Sequence, residues 1–515
     1  MAITKGRCGG RSGVRGLSLT VLVLAIGLGA CAGGGTAQQD GAGKGDTRPT
    51  VVGPSRPDQQ SEVQPVVSYA PTCTSAGERG CLSGTEVQAL EAFDGKLYAG
   101  TTNWEETLAS VWPRTSAQIN VLASQDGTWQ RTPGLPGSPK CTPGNAPWEQ
   151  VNDLHGAKFA WEGTAAKRLF AGVLANEDGA CPGLQASVFY LDERGRKWIN
   201  TGLDTRLEET YGAVNSEVRY VETLSDGTTD CPADRPCVFA FVGPRSGTIG
   251  PSVWRGIYDP ADATCDLICW DSGPELVMDG IHGPPAARIV SSATGETGLY
   301  FGTTALGLGR CGAENKREEC NRAALMERVG PRAWEPVWLG SPVRDGGPDQ
   351  VRGITSWEYG DGAHSLWFVT GPVGTVYRID TTGGTRSAPV AERTLGEFLP
   401  ESCNARMLPY QLYVHQRGSA DMNPELLVAS EACGRTPRDS FARIFHRPIA
   451  RDGAWDVVNM PTVTSVGADR SNEAAVRWIE TSPFDRKDVY FGTTDMNNTP
   501  GSLTARVYQL AVPFE

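Results

Sequence analysis

The chain has 515 residues and a formal net charge of −12 at neutral pH. An acidic surface argues against binding to nucleic acid and against docking by charge on anionic lipid. Glycine and proline are frequent, at 63 and 35 residues, whereas charged residues make up a moderate 21%. This composition favours many short strands and turns over long helices.

The first 30 residues predict an export signal. Basic residues precede an apolar run at 17–28 that is too short to span a bilayer comfortably, and the sequence LGAC follows at 28–31. This resembles the lipobox of bacterial lipoproteins. The resemblance implies that Cys31 becomes the acylated N-terminus, carrying palmitate or similar chains that anchor the protein firmly. An ordinary secretory signal with an incidental cysteine is the alternative.

The next segment, residues 31–64, is rich in Gly, Gln, Asp, Pro and Ser and has almost no large apolar side chains. Such a segment cannot bury enough surface to fold, and it predicts a flexible tether. Ala32 stands where inner-membrane retention usually shows Asp, which favours the outer membrane. We therefore expect an envelope protein anchored to the outer membrane, on its periplasmic side or at the cell surface.

Seven copies of a short apolar motif are spread along the rest of the chain. Each copy joins aromatic and β-branched residues and has Gly or Ser near its end, which is typical of a strand buried on both faces and stopped by a turn. A repeat at long, regular spacing predicts similar structural units. The clearest copies are LYFGTT at 299–304 and its near-repeats at 97–102 and 489–494, and looser copies are at 169–172, 238–243, 366–371 and 426–430.

Each unit is expected to hold four strands: an inner strand such as VQAL at 87–90, the motif strand, a third strand and a fourth that usually carries Trp. Four-stranded units repeated radially form a β-propeller. The predicted fold is therefore all-β, a seven-bladed β-propeller over residues 65–515. The seventh unit lacks a fourth strand, and we expect residues 66–69 to fill that place, which closes the ring and removes a sheet edge.

The cysteines predict disulfides. Of 14 Cys, Cys8 leaves with the signal and Cys31 takes the lipid, so an even number remains in local couples. In an exported protein such couples are expected to form bridges. Zinc is the alternative for close couples, but no His accompanies them, so no metal is predicted. The predicted bridges are Cys73–Cys81, Cys141–Cys181, Cys231–Cys237, Cys265–Cys269, Cys311–Cys320 and Cys403–Cys433.

A polar position recurs in the inner-strand pattern. Because inner strands surround the central channel, these side chains are expected to form a ring there. Four guanidiniums in such a ring could hold a carboxylate or phosphate through bidentate hydrogen bonds. The alternative is that they pair with acidic residues just upstream, such as Glu86 and Glu217, and only join the blades. The ring residues are Gln88, Asn152, Arg219, Arg288, Arg352, Tyr410 and Arg477.

Two family resemblances follow from the turns and the blade length. The segment SQDGTW at 124–129 resembles the Asp-box turn of sialidase-type propellers, which is structural. Sialidases also use an arginine cluster for the substrate carboxylate and a Tyr/Glu nucleophile pair, and Tyr410 stands at the matching ring position. Blade length and aromatic content are similar to kelch-type propellers, and this resemblance implies architecture only.

Several polar residues directly follow the motif strands and are expected on the loop face. Trp104 could be an exposed aromatic anchor for a partner, or it could pack against the Cys73–Cys81 loop. The candidate loop-face contacts are Asn103, Trp104, Glu431 and Asp495.

Standard catalytic signatures are absent from the sequence, including the G-x-S-x-G elbow, H-E-x-x-H and the P-loop. We therefore assign no catalytic residue and predict no cofactor. The expected function is a lipid-anchored envelope protein whose propeller binds a protein, peptide or glycan partner without catalysis. The alternative is a glycan-active hydrolase of sialidase type that uses the arginine ring.

Overall fold

The computed structural model describes residues 63–65, 82, 84–102, 117–143, 147–161, 164–175, 181–192, 194–212, 216–225, 227–228, 230–232, 235–244, 250–278, 288–295, 298–304, 322–342, 349–382, 386–417, 424–433, 440–449, 454–458, 473–494 and 505–511. The predicted lipid site at Cys31 and the predicted closing segment 66–69 lie outside these residues.

The described strands pair in consecutive antiparallel groups. β1 is Val63–Pro65. Group one holds β2 Glu86–Phe93, β3 Lys96–Thr102, β4 Ile119–Leu122 and β5 Gln130–Arg131. Group two holds β6 Trp148–Trp161, β7 Thr164–Ala175, β8 Val188–Leu191 and β9 Trp198–Asn200. The helix α1, Leu203–Tyr211, follows. Group three holds β10 Ser216–Leu224, β11 Cys237–Pro244, β12 Ser252–Tyr258, β13 Ile268–Trp270 and β14 Leu276–Val277.

The later groups repeat the same order. Group four holds β15 Ile289–Gly295, β16 Gly298–Thr303, β17 Ala324–Gly330 and β18 Ala333–Leu339. Group five holds β19 Gln350–Glu358, β20 His364–Gly371, β21 Thr375–Asp380 and β22 Val390–Thr394, and 3-10 turns follow at Leu395–Phe398 and Glu401–Cys403. Group six holds β23 Met407–His415, β24 Glu425–Ala432, β25 Phe441–Pro448 and β26 Asp456–Val458. Group seven holds β27 Ala475–Thr481, β28 Asp488–Thr494 and β29 Arg506–Ala511.

This arrangement is an all-β fold of the β-propeller type, as the sequence predicts. Single bridges join neighbouring groups, such as Thr102 with Gln150 and Glu217 with Leu174. Seven blades in one closed ring stay a prediction, which these groups fit.

The last group pairs with the start of the described chain. β1 runs antiparallel to β29, with Val63 opposite Leu510 and Pro65 opposite Tyr508. The pairing strand therefore begins at Val63, inside the segment predicted as tether and three residues before the segment predicted to close the ring. Glu86 of β2 also lies opposite Thr494 of β28.

The hydrophobic core is divided among the interfaces between neighbouring groups. One cluster joins Leu90 of β2 to Tyr490 of β28, and another joins Phe170 of β7 to Trp254 of β12. Each group thus buries its sheet against the next, which is how a radial repeat shares out a core.

The glycine of the motif strand lets the next inner strand approach closely. A Cβ added at Gly172 would lie 2.9 Å from Val218 Cγ1, and one at Gly492 would lie 2.5 Å from Val87 Cγ1. Real Cβ atoms do not come so near, so the motif needs Gly at these contacts between groups.

Disulfides join the local cysteine couples. The described structure contains the predicted bridges Cys141–Cys181, Cys231–Cys237, Cys265–Cys269 and Cys403–Cys433. Cys73, Cys81, Cys311 and Cys320 lie outside the described residues. Within the described chain, no helix is both long enough and apolar enough to cross a membrane.

Candidate functional site

The inner strands converge on a cavity of about 240 Å³. The side chains that line it are mostly polar, and they include every residue of the predicted ring. Tyr220 and Trp478 complete its wall together with Gln150. The ring residues in the lining are Gln88, Asn152, Arg219, Arg288, Arg352, Tyr410 and Arg477.

A β-bulge in each inner strand accounts for this convergence. A bulge inserts one unpaired residue into a strand and re-aims its side chain. In group five the register shifts at Gly353, directly after Arg352, and in group four it shifts at Val290. In the other five groups the unpaired residue is the ring residue itself: Gln88, Asn152, Arg219, Tyr410 and Arg477.

Arg288 reaches the cavity from a different register. Its carbonyl oxygen accepts a hydrogen bond from Thr304 N, and its own N–H donates to Thr304 Oγ1, both at 2.9 Å. This places it opposite the end of the motif strand, as Glu86 is placed opposite Thr102. In group four the residue that corresponds to Gln88 of group one is Val290. Arg288 lies two residues before Val290, whereas the sequence pattern placed Arg288 itself at the ring position.

Arg219 and Arg477 are paired with carboxylates. Arg219 Nε and Nη2 donate to the two carboxylate oxygens of Glu217, at 2.6 and 3.2 Å. Arg477 forms an ion pair with the fully buried Glu86. Burial alone would lower the pKa of each arginine, but its carboxylate partner raises that pKa above the ordinary value. For Arg477 the structural alternative, an ion pair that joins two groups, describes the contact, whereas Arg219 and Glu217 pair within the single strand β10.

Arg352 is placed differently. Its Nε donates to the neutral amide oxygen of Gln350 at 2.8 Å, and its guanidinium lies 4.9 Å from the ring centre of Tyr410. It makes no ion pair with any described carboxylate. Burial lowers the pKa of Arg352, and the nearby guanidiniums of Arg219 and Arg477 lower it further. Among the described residues, this half-buried cation therefore has no ion-pair partner.

Tyr410 lies between two guanidiniums. Arg477 is 3.9 Å from the centre of its ring, on which Arg352 also packs. The Tyr410 hydroxyl donates to Glu431 Oε2 at 2.8 Å, and Ser440 Oγ donates to the other oxygen of that carboxylate at 2.6 Å. Burial raises the pKa of Tyr410. Tyr410 is thus held as a neutral phenol against a carboxylate.

Glu431 differs from its predicted place. It lies inside β24, opposite Leu408 of β23, and not in a loop after the strand. The pairing extends past Ser430, where the apolar motif ends, and this turns the Glu431 carboxylate toward Tyr410. The prediction of a loop-face contact is therefore corrected for Glu431. Asn103, Trp104 and Asp495 lie outside the described residues.

The amide of Asn152 has a structural role in the described contacts. Its Nδ2 donates to the carbonyl oxygen of Val218 at 3.0 Å, which ties the inner strands of groups two and three together. Tyr220, which sequence reasoning did not single out, donates its hydroxyl proton to Val290 O at 2.6 Å and so links groups three and four.

A second cavity, of about 230 Å³, lies against the first, and the two share Tyr220, Tyr410 and Trp478 in their walls. In each group, the residue three places after the ring position lines this second cavity, and in group four that ring position is Val290. Residues three apart lie on opposite faces of a regular strand, but the bulge changes this alternation and lets both line the channel. These seven residues, here named the lower tier, are Glu91, His155, Glu222, Ala293, Thr355, Tyr413 and Glu480.

Four acidic side chains line the second cavity, those of Glu91, Asp153, Glu222 and Glu480. Burial raises the pKa of Glu480 and of the adjacent Asp153 to about 8 each. The pKa of Glu91 lies well above its ordinary range, because the carboxyl is buried and faces Glu480. The lower tier was missed from the sequence, although its acids stand at a constant offset from the ring.

One group of possible metal ligands lies together in the described chain, formed by Asp262, Cys265 and Cys269. The two sulfur atoms are joined in a disulfide, so they offer no thiolate. These residues therefore do not fit a zinc centre in the oxidised protein.

No family model matches the chain, and no curated protein matches it. Among solved structures, the polysaccharide lyase Uly1 is 9% identical over 88% of this chain and 97% of its own, with a TM-score of 0.43. The β-propeller domain of Myceliophteria thermophila Cps50 (Swd1) is 10% identical over 84% of this chain and 98% of its own, with a TM-score of 0.40. Pseudomonas aeruginosa periplasmic gluconolactonase PpgL is 13% identical over 81% and 96%, with a TM-score of 0.39. At these values the likenesses carry no argument about function.

Proposed function

We propose that the chain is a lipid-anchored envelope protein whose propeller binds a protein, peptide or glycan partner without catalysis. The partner inserts an anionic group, a carboxylate in the first place, into the arginine cavity. The observation that carries this proposal is Arg352, a half-buried guanidinium in the cavity wall that has a neutral amide as its hydrogen-bond partner and no ion pair with a described carboxylate.

The free energy of a buried charge explains why Arg352 favours an anion. A desolvated cation is costly unless it is paired, and bidentate hydrogen bonds to a carboxylate are among the strongest that a guanidinium makes. Arg219 and Arg477 already have Glu217 and Glu86 as partners. The bound anion would therefore complete the coordination of Arg352.

Calorimetric titration of the full-length chain in detergent tests the proposal. The probes are N-acetylglycine and glucuronate, which carry a peptide-type and a glycan-type carboxylate, with N-acetylglycine methylamide as the neutral control. We expect the carboxylates to bind and the methylamide not to bind. Arg352→Met should abolish binding, whereas Arg206→Met, on the exposed face of α1, should leave it unchanged. Absence of carboxylate binding, or equal binding by Arg352→Met, would overturn the proposal.

The lipid anchor rests on the LGAC sequence that ends at Cys31. Labelling cells with radioactive palmitate should mark the wild-type chain and the Cys8→Ser variant, because Cys8 leaves with the signal. Cys31→Ser should remain unlabelled and partition into the aqueous phase. Label on Cys31→Ser would remove the lipoprotein assignment, and cell fractionation of the labelled protein would test the outer-membrane location.

A second candidate function is hydrolysis of an acidic glycan in the manner of sialidases. The contact that favours it is the hydrogen bond between Tyr410 and Glu431, flanked by Arg352 and Arg477. In that reaction Glu431 accepts the phenolic proton while Tyr410 Oη bonds to the anomeric carbon and the glycosidic oxygen leaves, taking a proton from solvent. Water then attacks the anomeric carbon and displaces Tyr410 Oη, to which Glu431 returns the proton. The raised pKa of Tyr410 opposes this step unless Glu431 takes the proton.

An aryl sialoside separates the two functions. A binding protein holds the compound without releasing the phenol, and Tyr410→Phe then changes affinity only slightly. If the wild-type chain releases the phenol and Tyr410→Phe abolishes this release, the hydrolase function replaces the binding function. Glu431→Gln should slow that release, because the amide cannot take the proton.

A further inference from the structure

The lower tier continues the channel directly behind the arginine cavity. All but one of its seven side chains are polar, and the exception is Ala293. The channel therefore carries guanidiniums at one level and carboxyl groups at the next, with Tyr220, Tyr410 and Trp478 between them.

Within the described part of the chain, the hydrogen-bond donors to the acids of the lower tier are uncharged. Glu91 accepts a hydrogen bond from the backbone N–H of Gly156, and Glu222 accepts from the hydroxyls of Ser292 and Thr294. Glu480 accepts from the Tyr413 hydroxyl at 3.1 Å.

No Lys or Arg is present among the described residues that line this cavity. A cation placed there would remove the repulsion between the carboxyl groups, and it would form charge-assisted hydrogen bonds with them.

Arg352 supplies an independent indication that the channel takes a ligand. Its Nε is bonded to Gln350, and no described partner accepts from its terminal nitrogens. Arg352 lines the arginine cavity, which adjoins the lower tier through Tyr410 and Trp478. One ligand can therefore satisfy the guanidinium at one end and the acids at the other.

We propose that the channel binds a zwitterion, a short peptide with free termini, whose carboxylate meets Arg352 and whose ammonium group meets Glu222 and Glu480. This inference rests on the proposed function, since the carboxylate contact is shared. Residues three apart along a strand are separated by roughly 10 Å. An extended chain of about three residues spans the same distance.

Matched tripeptides test the second contact separately from the first. The probes are triglycine, N-acetyl-triglycine, which lacks the ammonium group, and triglycine amide, which lacks the carboxylate. With the full-length chain in detergent, we expect triglycine to bind about tenfold more tightly than N-acetyl-triglycine. Triglycine should also bind more tightly than glycine, which cannot reach both levels.

Charge-neutral variants locate the ammonium contact. Glu480→Gln and Glu222→Gln keep an oxygen acceptor for their neighbours, and each should reduce triglycine affinity toward that of N-acetyl-triglycine. Neither should change the affinity for N-acetyl-triglycine, which shows that the fold is intact. Glu335→Gln, on the exposed face of β18, is the control and should have no effect.

The outcomes distinguish the two proposals. Equal affinity for triglycine and N-acetyl-triglycine would overturn the zwitterion site and leave the carboxylate site standing. A preference for triglycine that survives both Glu480→Gln and Glu222→Gln would also overturn it. Absence of binding by every carboxylate probe would overturn the proposed function, and this inference with it.

Discussion

Arg477 and Arg352 line the same cavity, yet their removal should have different consequences for stability. Arg477 neutralises the fully buried Glu86, so Arg477→Ala leaves an unpaired charge and should lower the free energy of unfolding by about 3–5 kcal/mol. Arg352 forms no ion pair with a described carboxylate, and Arg352→Ala should change that free energy by less than about 1 kcal/mol. Urea unfolding of both variants measures the difference.

A second substitution controls for the loss of packing at Arg477. Glu86→Gln removes the charge that Arg477→Ala leaves behind, so the double variant should be more stable than Arg477→Ala alone. Equal losses for Arg477→Ala and Arg352→Ala would contradict the distinction between a structural and a ligand-binding arginine.

Asp153 makes stability depend on pH. The residue is only 4% exposed, and burial raises the pKa of its carboxyl to about 8, while Glu222 nearby adds to the rise. In the unfolded chain an aspartate has a pKa of about 3.9. Between these two values the folded state holds a proton that the unfolded state has lost, so the free energy of unfolding falls as pH rises from about 4 to about 8.

Asp153→Asn imitates the protonated form at every pH and keeps an acceptor for the Val221 N–H. The variant should match the wild type near pH 4 and melt at a higher temperature at pH 8.5. Asp126→Asn, in an exposed turn, is the control. If the melting temperature of Asp153→Asn fell with rising pH as steeply as that of the wild type, this would contradict the assignment of the pH dependence to Asp153.

At the scale of the strand, Gly172 of β7 and Val218 of β10 couple two neighbouring groups. Gly172→Ala would bring the new Cβ within 2.9 Å of Val218 Cγ1, and overpacking of this kind costs about 1–3 kcal/mol. Val218→Ala removes that methyl group. Gly172→Ala should therefore cost much less when it is combined with Val218→Ala, which a double-mutant cycle of unfolding free energies measures.

Gly134 offers a matched control, since a Cβ added there meets no atom within 4 Å. Gly134→Ala should leave stability nearly unchanged. If the unfolding free energies of Gly172→Ala and Val218→Ala were additive, the motif glycine would be required for the backbone conformation of its own strand and not for the close contact with the next group.

The sequence predicted strands better than it predicted their register. The motif copies form β3, β7, β11, β16, β20, β24 and β28, because a strand buried on both faces needs a continuous apolar run. The bulges left no such signal, since an unpaired residue can be Gln88 or Tyr410 as readily as Gly353. The lower tier could not be predicted without them.

Pairing between strands also decided the role of Glu431. Its neighbours in sequence gave no indication that β24 continues past Ser430, because that extension depends on β23 and not on local propensity. The contact between Tyr410 and Glu431 is therefore a property of the sheet. The place of Tyr410 in the cavity wall follows from its position in the repeat, which is local information.

At the scale of the whole molecule, repetition made the fold class predictable and left the ligand undetermined. A repeated unit shows that seven polar positions recur, but it does not show which arginines find partners. That depends on contacts between groups, such as Glu86 of the first group with Arg477 of the seventh. Arg352 is distinguished only by the absence of such a partner among the described residues.

The disulfides differ in how much chain they constrain. Cys141–Cys181 closes a loop of 40 residues from group one to group two, whereas Cys265–Cys269 closes one of 4. Loop-closure entropy predicts that replacing the first pair by Ser lowers the free energy of unfolding by about 4 kcal/mol and replacing the second by about 2 kcal/mol. Urea unfolding of the two double variants under non-reducing conditions compares them.

The larger loss of unfolding free energy, expected when Cys141 and Cys181 are replaced, should also come from the interface between the first two groups. Cys181 belongs to the core cluster that contains Trp148 and Phe189, and Cys141 packs against that cluster, so the loss of this bridge releases a loop against a buried interface. Cys265–Cys269 joins two neighbouring points of a single group and ties no second group to it. If the two double variants lost equal stability, the bridges would act by local packing, and the constraint on the unfolded chain would not be the reason for their presence.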